Sequence, residues 1–125
     1  MNWRLPTKEE LNLMHELHKK GIGDFTSVNY WSSSEFYAYY AWSQYFYDGY
    51  QYYYDKSYPL KVRAVRTFES DKKYQIGKKT ETGIIFYKNG TEYKECKFND
   101  EGVYNWYDAM KLFKMADTMI EEREK

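Results

Sequence analysis

Eleven of the sixteen tyrosines in this chain of 125 residues stand between positions 30 and 58. A phenol combines a large, fairly rigid contact surface with a hydroxyl at its tip, so it suits binding better than proton or acyl transfer at neutral pH. Groups better fitted to catalysis are sparse and badly matched. Glu9 and Glu10 are adjacent on a predicted helix and do not converge on one bond as a glycosidase pair must. The Ser32-Ser33-Ser34 run has no neighbouring histidine to serve as base. His15 and His18 lie three apart without a partner motif and read as ordinary helix residues. Cys96 stands alone, which excludes an internal disulfide and any multi-cysteine metal site; its place in a predicted hairpin suits a small buried side chain. Arg4, Arg63 and Arg66, with Glu10 and Glu35 as available carboxylates, read as internal ion-pair struts. The expected class is therefore a non-enzymatic binding module.

The candidate ligand-binding residues are Tyr37, Tyr39, Tyr40, Ser43, Tyr45, Tyr47, Asp48, Tyr50, Tyr52, Tyr53, Tyr54 and Tyr58. A core does not accommodate so many phenols, because each buried hydroxyl needs a hydrogen-bond partner. The mixture of Tyr, Ser and Asp resembles an antibody paratope, in which tyrosine loses only two side-chain torsions on binding. Strand alternation assigns Ser43, Tyr45 and Tyr47 to an outer face, and Trp42, Gln44 and Phe46 to the opposite one, with Trp42 and Phe46 in the core. Tyr50, Tyr52 and Tyr54 share a face in the same way. The bland alternative is that these aromatics are strand formers packed under loops. A third is that the patch joins copies of the chain, since exposed aromatics also mark subunit contacts. Stacked rings would suit single-stranded nucleic acid too, yet residues 30 to 58 hold Glu35, Asp48 and Asp55 against only Lys56, the wrong sign for tracking phosphates.

The elements that must position these side chains follow from local signals. Thr7 to Lys20 reads as a helix, with Thr7 and Glu10 forming a capping box and Gly21 ending it. Residues 21 to 29 read as loop. Strand-like segments follow at Tyr30 to Glu35, Ala41 to Tyr47, Gln51 to Asp55 and Lys61 to Phe68, with Asp48-Gly49 as a hairpin turn. Glu69 to Thr80 is polar and aperiodic and reads as a linker. Thr82 to Lys88 and Thr91 to Phe98 flank Asn89-Gly90, a strong hairpin signal. A second helix is predicted from about Asn105 to Glu122, with an apolar stripe of Trp106, Ala109, Met110, Phe113, Ala116 and Ile120. The sum is an α+β pattern within one domain: 1–68 as helix plus patch strands, 69–80 as linker, 81–125 as hairpin plus second helix.

Composition narrows the partners. Nineteen basic residues balance nineteen acidic ones, so no whole-molecule field attracts nucleic acid or anionic lipid. No apolar run is long enough for a membrane-spanning helix, and the first residues do not read as a signal peptide. Localisation stays open between a cell surface and a virion. Asp48 and Asp55 alone do not assemble the oxygen ligands calcium needs, so no metal or other cofactor is expected.

Trp3-Arg4-Leu5-Pro6-Thr7 with Glu9-Glu10-Leu11, Tyr30-Trp31-Ser32-Ser33-Ser34-Glu35, Ala41-Trp42 and Val62-Arg63-Ala64-Val65-Arg66 together resemble one family. It is the bacterial lectin-like domain found at the end of collagen-like adhesins and in phage and surface proteins. That resemblance implies a C-type lectin-like fold of the formylglycine-generating-enzyme type, with two helices on short antiparallel strands. It also implies a receptor of protein or glycan character on a cell or phage surface. The sugar-binding calcium signatures of the lectin branch are missing, as is the cysteine pair of its copper-using enzyme relatives. The chain is similar, too, to the variable proteins diversified by retroelements: an Asn codon becomes Tyr, Ser, Asp or Phe when only its adenines change. Members usually begin with segments like Gly83 to Tyr87 and Trp106 to Met110, which here come last. The order therefore reads as a circular permutation, which compact domains with neighbouring ends tolerate. On that reading, the strand holding Val62 to Arg66 should lie beside the one holding Ile84 to Tyr87, and the second helix should end near Trp3.

Overall fold

Thr7 opens the first helix because its neighbours complete the cap. Its hydroxyl accepts from the Glu10 N–H while the Glu10 carboxylate accepts from the Thr7 N–H, satisfying two amides that the helix itself leaves unpaired. This helix, α1 (Lys8–Lys19), buries Leu11, Met14 and Leu17 along one stripe. The computed structural model describes residues 2–113, and eight strands follow α1: β1 (Asn29–Tyr37), β2 (Tyr40–Tyr45), β3 (Gln51–Asp55), β4 (Leu60–Val62), β5 (Val65–Glu69), β6 (Ile84–Asn89), β7 (Glu92–Cys96) and β8 (Gly102–Tyr104). A second helix, α2, occupies 106–113, and the Asn105 side chain accepts from the Asp108 N–H to cap it. Trp106 and Ala109 are buried as the stripe requires, whereas Ala116 and Ile120 lie outside the described residues. So does the expected approach of the helix end to Trp3. The fold is α+β.

The strands form two sheets. One has five strands in the order β3-β2-β1-β4-β8, antiparallel except where β1 meets β4, and the other has three in the order β5-β7-β6. Residues directly opposite across a strand pair share a face, so the registers Tyr30↔Gln44 and Trp31↔Ser43 separate two sides of the larger sheet. The side bearing Tyr30 packs with α1 and the smaller sheet in a core of Leu11, Met14, Leu17, Phe46, Val65, Ile84, Phe86 and Cys96. The side bearing Trp31 and Ala41 packs with Leu5, Val62, Trp106 and Ala109. The larger sheet is thus covered on both sides. Its β2–β3 end carries the tyrosines.

Four sequence expectations are corrected here. The predicted strand from Lys61 to Phe68 is broken at Arg63 and Ala64, sending β4 to one sheet and β5 to the other. The Arg63 guanidinium is fully buried at the break, donating to Asp100, to the carbonyls of Gly23, Lys97 and Asp24, and stacking 4.2 Å over Phe25. Four charge-assisted bonds of this kind outweigh the continuation of one ladder. Glu69 to Thr80 is not a free linker, because β5 extends through Glu69 and the segment returns along the edge of β6, where Gly77 donates to Ile85 and Ile85 donates to Lys78. The strand of Gly102–Tyr104 was unforeseen; it pairs with β4 and closes that edge. Finally, β5 does not lie beside β6. The hairpin strand β7 stands between them and bonds to both.

Candidate recognition surface

One residue assigned to the patch is not at the surface, and neither is the tyrosine that opens the segment. Ser43 is buried, its hydroxyl donating 3.1 Å to the Tyr52 carbonyl, and Tyr30 at the head of the segment is wholly buried. The Tyr30 hydroxyl donates to Asp100 and receives the Thr26 N–H, which satisfies a phenol deep in the core. Burial raises its pKa above the ordinary phenol value. Eight of the ten predicted tyrosines are exposed: Tyr37, Tyr39, Tyr40, Tyr47, Tyr50, Tyr52, Tyr53 and Tyr58, with Tyr47 the most open at 74%. Tyr45 and Tyr54 are half-buried, and Asp48 is exposed on the turn between β2 and β3.

They do not share one face. The register Trp42↔Tyr53 and Tyr40↔Asp55 sets Trp42, Tyr40 and Tyr53 on the α1 side, while Ser43↔Tyr52 and Ala41↔Tyr54 set Tyr52 and Tyr54 on the other. On the α1 side Phe36 stacks on Tyr53 at 4.2 Å, both meet Trp42 edge-on, and the Lys8 ammonium stands 3.8 Å over the Trp42 ring. Trp42 is therefore half-buried, not a core residue as its alternation with Phe46 suggested. Its face is covered only where α1 reaches, and Lys8 lies at the first turn of that helix. Phe46, further along, meets the middle of α1 and is buried.

On the other side Tyr45 meets Tyr47, Tyr50 meets Tyr52 and Tyr54 meets Tyr58, each pair with ring centres about 6 Å apart. Desolvation by these neighbours, then the Asp48 charge and the phenols of Tyr50, Tyr54 and Tyr45, push the Tyr52 phenol above its usual pKa. It stays a neutral donor at physiological pH. The acidic groups are held by turns: Asp48 accepts from the Tyr50 N–H, and Asp55 accepts from the N–H and hydroxyl of Ser57, which lowers its pKa. This side offers rings and hydroxyls with the Asp48 carboxylate beside them, while Asp55 belongs with Tyr40 to the α1 side.

Interior polar groups hold the surface in shape. Gln44 is buried in the second strand and donates to Asn12 of α1 and to the Gly49 carbonyl in the turn, while Gln51 donates to Gln44 and to the Lys8 carbonyl. Gly49 has φ 85° and its Cα sits against the His15 ring, where a Cβ would come within 2.6 Å, so the turn can seat only glycine. Lys56 is the residue sequence reading overlooked. It counted there as the patch's only cation, yet it is buried, with its ammonium donating to Glu35 and to the Ala38 carbonyl and lying 4.3 Å from the Trp106 ring. It ties the β1–β2 turn that displays Tyr37 and Tyr39 to the start of α2. A lysine among tyrosines gives no sign of burial when its partners lie 18 to 50 positions away.

The arginines prove to be struts. Arg4 grips Glu10 with both terminal nitrogens at 2.6 and 2.8 Å, Arg63 pairs with Asp100, and Arg66 with Glu95; Glu35 is engaged by Lys56 instead. Cys96 is buried, and burial pushes its thiol up to about 11, out of reach of thiolate chemistry. Among the described residues no three His, Cys, Asp or Glu side chains gather as a metal site would require, and no helix is long and apolar enough to cross a membrane.

The family model of the Lcl C-terminal domain matches residues 1–66, which span α1 through β4 and the tyrosine strands between them. No curated protein and no solved structure matches the chain.

Proposed function

Because the chain belongs to the Lcl C-terminal domain family, we propose that it is a non-enzymatic binding module whose β2–β3 end meets a protein or glycan receptor on a cell or phage surface. The observation that carries this reading is the exposure of eight tyrosines on a scaffold in which Gln44, Gln51 and Lys56 bond internally. Rings that hold no core together are free to bury area against a partner, and each aromatic contributes on the order of 150–250 Å² of contact. The side with Tyr47, Tyr50, Tyr52, Tyr54 and Tyr58 is the stronger candidate, since Asp48 adds a charged acceptor there. The C-type lectin-like topology, the permuted order and diversification by a retroelement belong to the same reading. Adenine-restricted codons at these positions beside a near-identical template repeat would support the last of these.

One observation favours a second reading. The strand β3 is an edge of its sheet, and Tyr52 and Tyr53 stand exposed on its two sides, so a second copy could pair along it. Probing immobilised protein and glycan arrays and measuring sedimentation velocity over a concentration series separates the two. Receptor binding predicts saturable signals on a subset of the array and a monomer at all concentrations. Self-association without array binding would replace the receptor reading by an assembly role, and neither signal would remove both.

A further inference from the structure

A cleft of about 430 Å³ opens far from the tyrosine strands, between β5 and the connection that leads to β6, lined by Arg66, Phe68, Lys72, Tyr74, Lys79 and Glu81. We propose that it binds a carboxylate carried on a flat, apolar body, the class of which benzoate is the simplest member. The cleft owes its charge to a buried support. Glu95 is fully buried and accepts from the Arg66 Nε at 2.7 Å and from the hydroxyls of Thr80 and Thr82, each at 2.5 Å. Gly83 lets this turn lie against β7, since a Cβ there would stand 2.2 Å from the Cys96 carbonyl oxygen.

The consequence is a fixed guanidinium with an unused edge. Arg66 spends its Nε on Glu95, and among the described residues its two terminal nitrogens meet no protein acceptor. Two parallel N–H groups match the two oxygens of a carboxylate. Phe68 lies 4.6 Å and Trp3 5.5 Å from the guanidinium, so two rings flank the fork closely enough to attract its charge. Lys72 and Lys79 are exposed and have no ion-pair partner among the described residues, against the single free acid Glu81. The excess is positive but small, which suits one negative charge better than several. An aromatic wall supplies the rest: Tyr74 meets Phe68 and Tyr93 edge-on, and Tyr93 fixes it by accepting the Tyr74 N–H. A flat ring can lie along this wall while its carboxylate reaches Arg66.

Titration of the ¹⁵N-labelled chain with benzoate, acetate and inorganic phosphate, followed by amide shifts, tests the proposal. Benzoate should give saturable shifts centred on residues 66–82. It should bind roughly tenfold tighter than acetate or phosphate, the weight of one good ring contact. The double variant K72Q/K79Q alters only exposed side chains and should weaken benzoate by roughly tenfold through lost charge-assisted contacts. Absence of saturation overturns the proposal. So does equal affinity for acetate or phosphate, which would leave the wall without a role, and so does an unchanged affinity in the double variant.

Discussion

At the scale of single residues, Arg4, Arg63, Arg66, Glu10 and Glu35 each make an ion pair within the chain, and Glu10 shows what such a pair does. Burial alone would raise its carboxyl, but hydrogen bonds from Arg4, Lys94 and the Thr7 amide outweigh that effect and hold it at about 2. A carboxyl whose folded value lies below its unfolded one stabilises the fold fully above the unfolded value and loses that contribution as pH falls toward the folded one. The window is therefore about pH 4.5 down to about 2. Glu10→Gln should be less stable than the parent at neutral pH, and the gap should close as denaturant melts are repeated down through that window. A constant gap would mean that the ion pair contributes nothing specific. The capping half of this arrangement was legible in the sequence, because Thr7 and Glu10 lie three apart. The Lys94 half was not, since that partner comes from a strand 84 positions away. Arg63 and Asp100 were hidden in the same way.

At the scale of elements, alternation told which way side chains point but not how far cover extends. Trp42, Gln44 and Phe46 do face α1, yet α1 ends short of Trp42 and leaves it under a lysine chain. Trp31 sits at the centre of the opposite side, fully buried, its indole N–H donating to the Tyr104 carbonyl. Trp31→Ala should cost roughly 3–5 kcal/mol as a core truncation, while Trp42→Ala should cost less than half of that in the same urea melts. Equal losses would show that Trp42 carries core packing after all. The break at Arg63 and the short strand β8 escaped sequence reading for a related reason. Lys61 to Phe68 alternates well enough for one strand, and Gly102–Tyr104 is too short to show any period; only the tertiary bonds of Arg63 and the pairing with β4 decide both.

At the scale of the whole molecule, the two halves of the chain share one interior, since Leu11, Tyr30 and Phe46 pack with Ile84, Phe86 and Cys96. The strand expected beside β6 from a rearranged order, β5, is one place further away than foreseen. The concentration of tyrosine was the clearest signal in the sequence, and most of it does lie outside. Its division between two sides of the sheet was not legible, because it depends on which strands neighbour β2. The central claim is that these rings bind and do not hold the fold. Exposed substitutions away from special features usually change stability by less than about half a kcal/mol each. The direct measurement is a comparison of the parent with the triple variant Tyr47→Ser, Tyr50→Ser, Tyr52→Ser, for midpoint of thermal unfolding and for affinity to the strongest array ligand. The account predicts a nearly unchanged midpoint with affinity lowered by roughly thirtyfold or more, the loss typical of removing binding hot spots. An unchanged affinity, or a collapse of the midpoint together with binding, would contradict it.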